Sequence, residues 1–263
     1  MKTRRVIPLV MLLVLALVVA NARGRNASEL EPSRHLASPS AAFPLGCGEG
    51  GIDLLAALAV GVGKAILLAG AVSIVAMVLG TTLGAFAAQR RGWLERLVER
   101  ASELTQAFPT IVLALVVVSS VKAPTRFHLA VVFSLTAWAG FARLALAETR
   151  VLREAAFIEA SRALGRGDFA LLLRHLLPQL MPVAGVQWGA TAAGVVISEA
   201  SLGFLGFIAP GEASLGELLG QGVVTMLRAP HILFVAAFGV LLTSSCLLLA
   251  GMAVAGESRS RAP

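Results

Sequence analysis

Residues able to do chemistry are few in this sequence, and most lack the spacing that chemistry needs. Gly61-Val62-Gly63-Lys64 holds the one Gly-Lys pair. A phosphate-binding loop also requires an earlier glycine at fixed spacing and a Ser or Thr after the lysine to hold magnesium. Ala65 stands at that position, and no strand is expected before the loop. The chain is therefore not expected to hydrolyse ATP itself. The four histidines, His35, His128, His175 and His231, fall at or beyond the ends of apolar stretches, with no His-Glu-x-x-His among them. No serine sits in a Gly-x-Ser-x-Gly setting, which argues against nucleophilic catalysis. Cys47 and Cys246 have no metal-ligand spacing and are expected at different depths, too far apart to pair. No catalytic residue, cofactor or metal is expected.

Two features remain. Glu199 is an acidic residue within or beside an apolar stretch, where a charge is costly and usually faces a cavity or a partner. It reads either as a pathway or gating residue, or as a carboxyl hydrogen-bonded to backbone or a neighbouring helix. The second feature is the polar stretch from Glu154 to Pro182. Glu154–Leu164 is rich in helix formers. Gly165 suits the left-handed end of a helix, and Asp168 is placed to cap the next one. On the first helix Phe157, Ala160 and Leu164 share a face, and Glu159, Arg162 and Arg166 share another. On the second, Phe169, Leu172, Leu173 and Leu176 form an apolar stripe. Such a helix-turn-helix could lie on a lipid surface with its arginines at the headgroups, or dock to a protein. Amphipathicity alone does not choose between them.

The elements that position these residues are membrane spans. Apolar residues make up 57% of the chain and charged residues 14%, with mean hydropathy +0.83. A soluble domain has about 45–50% and about 25%. Four blocks without charge run over 65–88, 104–121, 176–198 and 232–256, and a fifth over 129–147 is interrupted only by Arg143. Each approaches the roughly 20 residues that cross a bilayer as a helix. None has the alternating polarity of a barrel strand. A sixth candidate is residues 1–20, where Lys2, Arg4 and Arg5 precede an apolar run; Ala20-Asn21-Ala22 leaves a cleaved signal peptide as the other reading. Most of the 22 Lys and Arg residues fall in 1–5, 89–103, 143–175 and 257–263. The positive-inside rule makes those segments cytoplasmic, with both termini inside. The net charge of +7 then needs no nucleic-acid partner. The expected fold is an all-α integral membrane protein of about six transmembrane helices. Residues 21–55 form an external segment and 56–256 a single transmembrane domain, with 148–182 as its cytoplasmic loop. Asn26–Ser40 reads as a solvated linker, and Arg90–Glu103 as a surface helix that serves as a solvated connector or as a binding surface, the connector being the simpler reading.

The stretch Glu159-Ala160-Ser161, Arg162-Ala163-Leu164, Gly165, then Leu177-Pro178 resembles the EAA loop of binding-protein-dependent ABC importers. That pattern is Glu-Ala-Ala, three residues, Gly, then an apolar helix ending in Leu-Pro; Ser161 here replaces the second Ala. The resemblance runs from about Phe43 to Gly251 and is greatest to the second permease of dipeptide, oligopeptide and nickel importers. Pro44-Leu45-Gly46, Gly51 and Asp53, Ala107-Phe108-Pro109, Glu199-Ala200-Ser201-Leu202-Gly203-Phe204-Leu205-Gly206, and Pro210, Ser214 and Gly216 carry it. The chain departs from the subgroup at Cys47-Gly48, at Ile52 and at Leu215, and it lacks the usual acidic carboxyl tail.

The resemblance implies an inner-membrane permease subunit that forms the path for a peptide, or nickel, between itself and a sister permease. It implies two ABC ATPase subunits, docked through Glu159, Ala160, Ser161, Arg162, Gly165, Asp168, Leu177 and Pro178, and an extracytoplasmic substrate-binding protein. The lipid bilayer is the remaining partner. The competing class is a non-transporting membrane anchor or assembly protein, which neighbouring genes for ATPases and a binding protein would argue against.

Overall fold

The computed structural model describes residues 22, 24–25, 29–122, 124–156, 158, 161, 166–207 and 213–260, with side chains up to residue 254. Among them the chain is helical, and its one strand-like feature is an isolated bridge between Cys47 and Asp53. Seven helices follow in order. They are α1 (Leu54–Arg90), α2 (Trp93–Ala107), α3 (Thr110–Ser120), α4 (Arg126–Leu152), α5 (Asp168–Phe204), α6 (Leu215–Val224) and α7 (Pro230–Ser260).

Four of these, α1, α4, α5 and the Pro230–Val254 part of α7, are long and apolar enough to cross a membrane. At about 1.5 Å per residue, the 37-residue α1 is about 55 Å long, well beyond a hydrocarbon core of roughly 30 Å. Several of their hydroxyls are satisfied inside the helix. Thr82 donates to the Val78 carbonyl (2.6 Å), Ser201 to Ile197 (2.8 Å) and Thr243 to Gly239 (2.7 Å). In an apolar medium this back-bonding removes the cost of an unpaired hydroxyl.

The block expected to span over 104–121 is not one straight helix. It is divided between α2 and α3, which meet at 73°. Proline has no N–H and pushes the residue before it out of the helical region. Phe108, before Pro109, is extended at φ −98° and ψ 129°. Counting this bent pair as one span gives five. The sixth candidate, residues 1–20, lies outside the described residues.

The chain divides into two compact units. The first comprises 1–70, 115–129 and 192–249. Its core joins Leu54 and Ala57 of α1, Leu218 of α6, and Ile232 and Ala236 of α7. Residues 31–54, partly expected as a loose linker, are instead tied together through the backbone. Glu31 N–H donates to Gly50, Leu36 to Gly48, Cys47 to Ala37 and Leu54 to Gly46. Gly51 makes this possible: it holds φ +78°, and a Cβ there would stand 1.9 Å from the Glu31 carbonyl. Asp53 closes the turn, accepting from Leu55 N–H at 2.9 Å as an N-cap of α1.

The second unit comprises 71–114, 130–191 and 250–263. Here α1 and α4 cross at very short range. A Cβ on Gly80 would meet the Trp138 carbonyl at 2.3 Å, and one on Gly84 would meet the Ala142 carbonyl at 2.3 Å. Glycines four apart on one helix face let two backbones approach in this way, as in membrane helix pairs generally.

Candidate functional site

The polar stretch between the apolar blocks 129–147 and 176–198 is anchored at both ends in the second unit. At its start, α4 ends in tight turns: Glu154 N–H donates to Val151 and Ala155 N–H to Leu152. Ile158 then turns inward and is 1% exposed. It packs in a cluster with Ala85, Ala145, Leu171, Leu172, Leu176 and Leu180. At the far end the Arg166 N–H reaches the Ser161 carbonyl (3.3 Å). The Arg166 guanidinium also meets His175 Nε2 at 2.8 Å.

Of the expected site residues, Glu159, Ala160, Arg162 and Gly165 lie outside the described residues, as do Phe157 and Leu164. Ser161 is half-buried, Leu177 packs beside the Ile158 cluster, and Pro178 is exposed. Asp168 corrects its expected role. The N-cap of α5 is Gly167, and Asp168 is the first helical residue, with no cap bond from its own side chain. Its carboxylate turns instead to the end of α1. Arg90 Nε stands 3.3 Å from Oδ2, and the Gln89 amide donates to the Asp168 carbonyl (2.8 Å) and Oδ1 (3.3 Å). A carboxylate so placed, at a helix N-terminus and beside a guanidinium, is favoured twice.

The expected stripe also moves. Phe169 is 67% exposed and Leu173 47%, while Leu171, Leu172 and Leu176 are buried. Pro178 supplies the reason. It offers no N–H to the Arg174 carbonyl and crowds it. The turn before it widens into a π-helix over Leu172–Leu176, with Leu177 N–H donating to Leu172. That extra residue rotates the inward face.

A second set of residues was not singled out from sequence. Arg150, near the end of α4, grips two glutamates of α2. Its Nε is 2.6 Å from Glu95 and its Nη2 is 2.8 Å from Glu99. Arg153 adds a contact to Glu95 (3.4 Å) and donates to the Ala88 carbonyl at 2.7 Å. The Arg150 hydrogen bonds hold the Glu99 carboxyl below the usual carboxylate range. So Arg90–Glu103 is more than a solvated connector: one face of α2 is pinned to α4 while the other stays exposed. The signal was present: Glu95 and Glu99 are four apart, and Arg150 and Arg153 three apart. Nothing local joined the two.

Glu199 sits in the first unit and is 2% exposed. Arg126, in the first turn of α4, donates to its Oε1 at 2.7 Å. The structure thus brings an unexpected partner to Glu199.

These features define an α-helical, multi-pass membrane protein with its polar groups paired at helix ends. The chain belongs to the family described as binding-protein-dependent transport system inner membrane components, whose model matches residues 80–261. It is 33% identical over 207 residues to the glutathione transport system permease protein GsiD of Pectobacterium atrosepticum, covering 78% of this chain and 68% of that one. It is 31% identical over 203 residues to the peptidoglycan transport system permease protein YejE of Agrobacterium fabrum, covering 77% and 53%. GsiD of Shigella flexneri is 37% identical over 155 residues, covering 58% and 50%. The match thus spans about half the length of the last two relatives. An inward-facing MetNI methionine ABC transporter has the same fold, with TM-score 0.61 and 20% identity over 75% of this chain and 94% of that one.

Proposed function

We propose that this chain is a permease subunit of an ABC importer, and that it pairs with a sister permease to form a peptide pathway through the cell membrane. Two ATPase subunits hydrolyse ATP below it, and an extracytoplasmic binding protein delivers solute above. In this reading 1–20 is a first span or a signal peptide, and 21–55 is external. Residues 148–182 form the cytoplasmic loop of a 56–256 transmembrane domain. With 1–20 retained as a span, both termini are cytoplasmic.

The observation that carries the reading is the ordered pattern Glu159-Ala160-Ser161 and Gly165 between α4 and α5, followed by Leu177-Pro178 within α5, in a chain of this transport family. Its ends are rooted in the packing of Ile158, Leu171 and Leu176, so a push on the loop would reach both spans. Glu159, Ala160, Ser161, Arg162 and Gly165 would enter the ATPase groove, with Asp168, Leu177 and Pro178 as the stiff base. Glu199 would hold a gate through Arg126. Peptide is the cargo class because two relatives are named for glutathione and peptidoglycan transport; nickel is the second candidate.

The test is uptake by vesicles holding this chain with its partner subunits and binding protein. ATP-dependent accumulation of labelled glutathione or a dipeptide, lost when this chain is omitted, is the expected result. A complex that retains ATPase subunits but accumulates neither peptide nor nickel overturns the reading.

A further inference from the structure

Arg153 and Asp168 stand at the two roots of the segment 154–167, and both reach the same turn. Arg153 Nη1 donates at 2.7 Å to the carbonyl of Ala88, one of the last carbonyls of α1, which a helix leaves without an internal partner. The same nitrogen lies 3.4 Å from Glu95, in the first turn of α2. From the other root, the Asp168 carboxylate and carbonyl hold Arg90 and Gln89. Between those grips, Arg91 and Gly92 reverse the chain at φ +58° and +78°. A left-handed residue other than glycine persists only where its surroundings impose it.

The clamp continues along α2. Arg150 holds Glu95 and Glu99, and Leu94 and Val98 pack against Ala142 and Leu146 of α4. The Arg153 and Glu95 side chains are 15% and 12% exposed, so water weakens their attraction little. By contrast the backbone at the roots is made of short turns at 153–155 and of Arg166 and an extended Gly167, outside any helix. Turns of that kind would bend under load unless something outside them carried it.

We propose that Arg153 and Asp168 are positioning residues that tie both roots of the segment to the α1–α2 turn. A displacement of the segment by its partner then carries α2 with it, as one body. This rests on reading the segment as the ATPase-docking loop, and it adds a second moving part, α2, to that loop.

The test uses the assembled complex with pairs of spin labels on Leu97→Cys of α2, Arg166→Cys of the segment and Met252→Cys of α7 as reference. Leu97 and Met252 are both more than half exposed, and Arg166 is exposed. Distances are compared between nucleotide-free and ATP-trapped states. The expected result is a constant Leu97–Arg166 distance while both labels move relative to Met252. Introducing Arg153→Gln with Asp168→Asn should leave Arg166 moving and Leu97 behind, with about a tenfold rise in ATP consumed per solute imported. Asp168→Asn alone keeps the Gln89 bonds and should give an intermediate rise. If Arg166 moves and Leu97 stays still in the unaltered clamp, the inference is wrong and the docking reading survives. If Arg166 does not move relative to Met252, both are wrong. Unchanged ATP consumption in the double variant also overturns the clamp.

Discussion

The Arg126 guanidinium donates to Glu199 at 2.7 Å, and the glutamate side chain is 3% exposed against 20% for the arginine. One comes from the first turn of α4 and the other from the last turns of α5. A cation is poorly placed at a helix N-terminus, and the glutamate offsets that cost. Glu199→Ala removes a buried carboxylate from beside that cation and is expected to destabilise the protein by about 3 kcal/mol. Replacing both partners, Arg126→Met with Glu199→Leu, should recover most of the loss. Thermal unfolding of the solubilised protein measures both. A simple sum of the two single effects in the double variant would contradict the pairing.

The α1–α4 crossing gives a contrast between two glycines. At Gly84 an added Cβ would press on the Ala142 backbone at 2.3 Å, whereas at Gly194 of α5 nothing lies within 4 Å. Gly84→Ala is therefore expected to cost about 1–3 kcal/mol through forced separation of the helices. Gly194→Ala should gain about 0.5–1 kcal/mol, because glycine is a poor helix former. Melting temperatures of the two variants should move in opposite directions.

Among the described residues of the inter-span segment, Ile158 is the one apolar side chain fully inside, against Leu171, Leu172 and Leu176. Ile158→Ala removes three carbons from a closed cluster and is expected to cost about 2–4 kcal/mol. Hydrogen exchange should rise in 153–172 ahead of the spans. Uniform exchange across the protein would show that the segment is not separately rooted.

The Glu99 carboxyl has its pKa lowered, chiefly by the Arg150 hydrogen bonds. A lowered value in the folded state means stability that is present above the ordinary glutamate range, about 4.3, and lost as pH falls through the folded value. Glu99→Gln should therefore differ from the parent chain at neutral pH, and the difference should shrink below about pH 4. Melting curves taken from pH 7 to pH 3 would read it. A gap that stays constant with pH would remove the ion pair from the account.

Much of the architecture was legible because membrane spans are written as composition. Blocks such as 65–88 and 232–256 need no partner to be recognised, since the bilayer forces every backbone group to pair within the helix. Pro109 was equally visible, but a proline says that a helix ends or kinks, and the 73° angle comes from where α2 is held. Asp168 shows the limit of local reasoning. Its neighbours suggest a cap, while the residues that claim it, Gln89 and Arg90, lie 79 and 78 positions earlier. The Arg150–Glu95 bond spans 55 positions, and Arg126–Glu199 spans 73. The shifted stripe at Leu171, Leu172 and Leu176 was hidden for another reason. A widened turn breaks the 3.6-residue period on which face assignment depends.

The central claim is that the segment around Glu159 and Gly165 passes work from an ATPase to the spans. Its most direct measurement is ATP-dependent solute uptake by the reconstituted complex carrying Glu159→Lys or Gly165→Trp. The account predicts a complex that inserts and assembles normally while uptake falls to the level of vesicles without ATP. Uptake at the rate of the unaltered protein in either variant would contradict it.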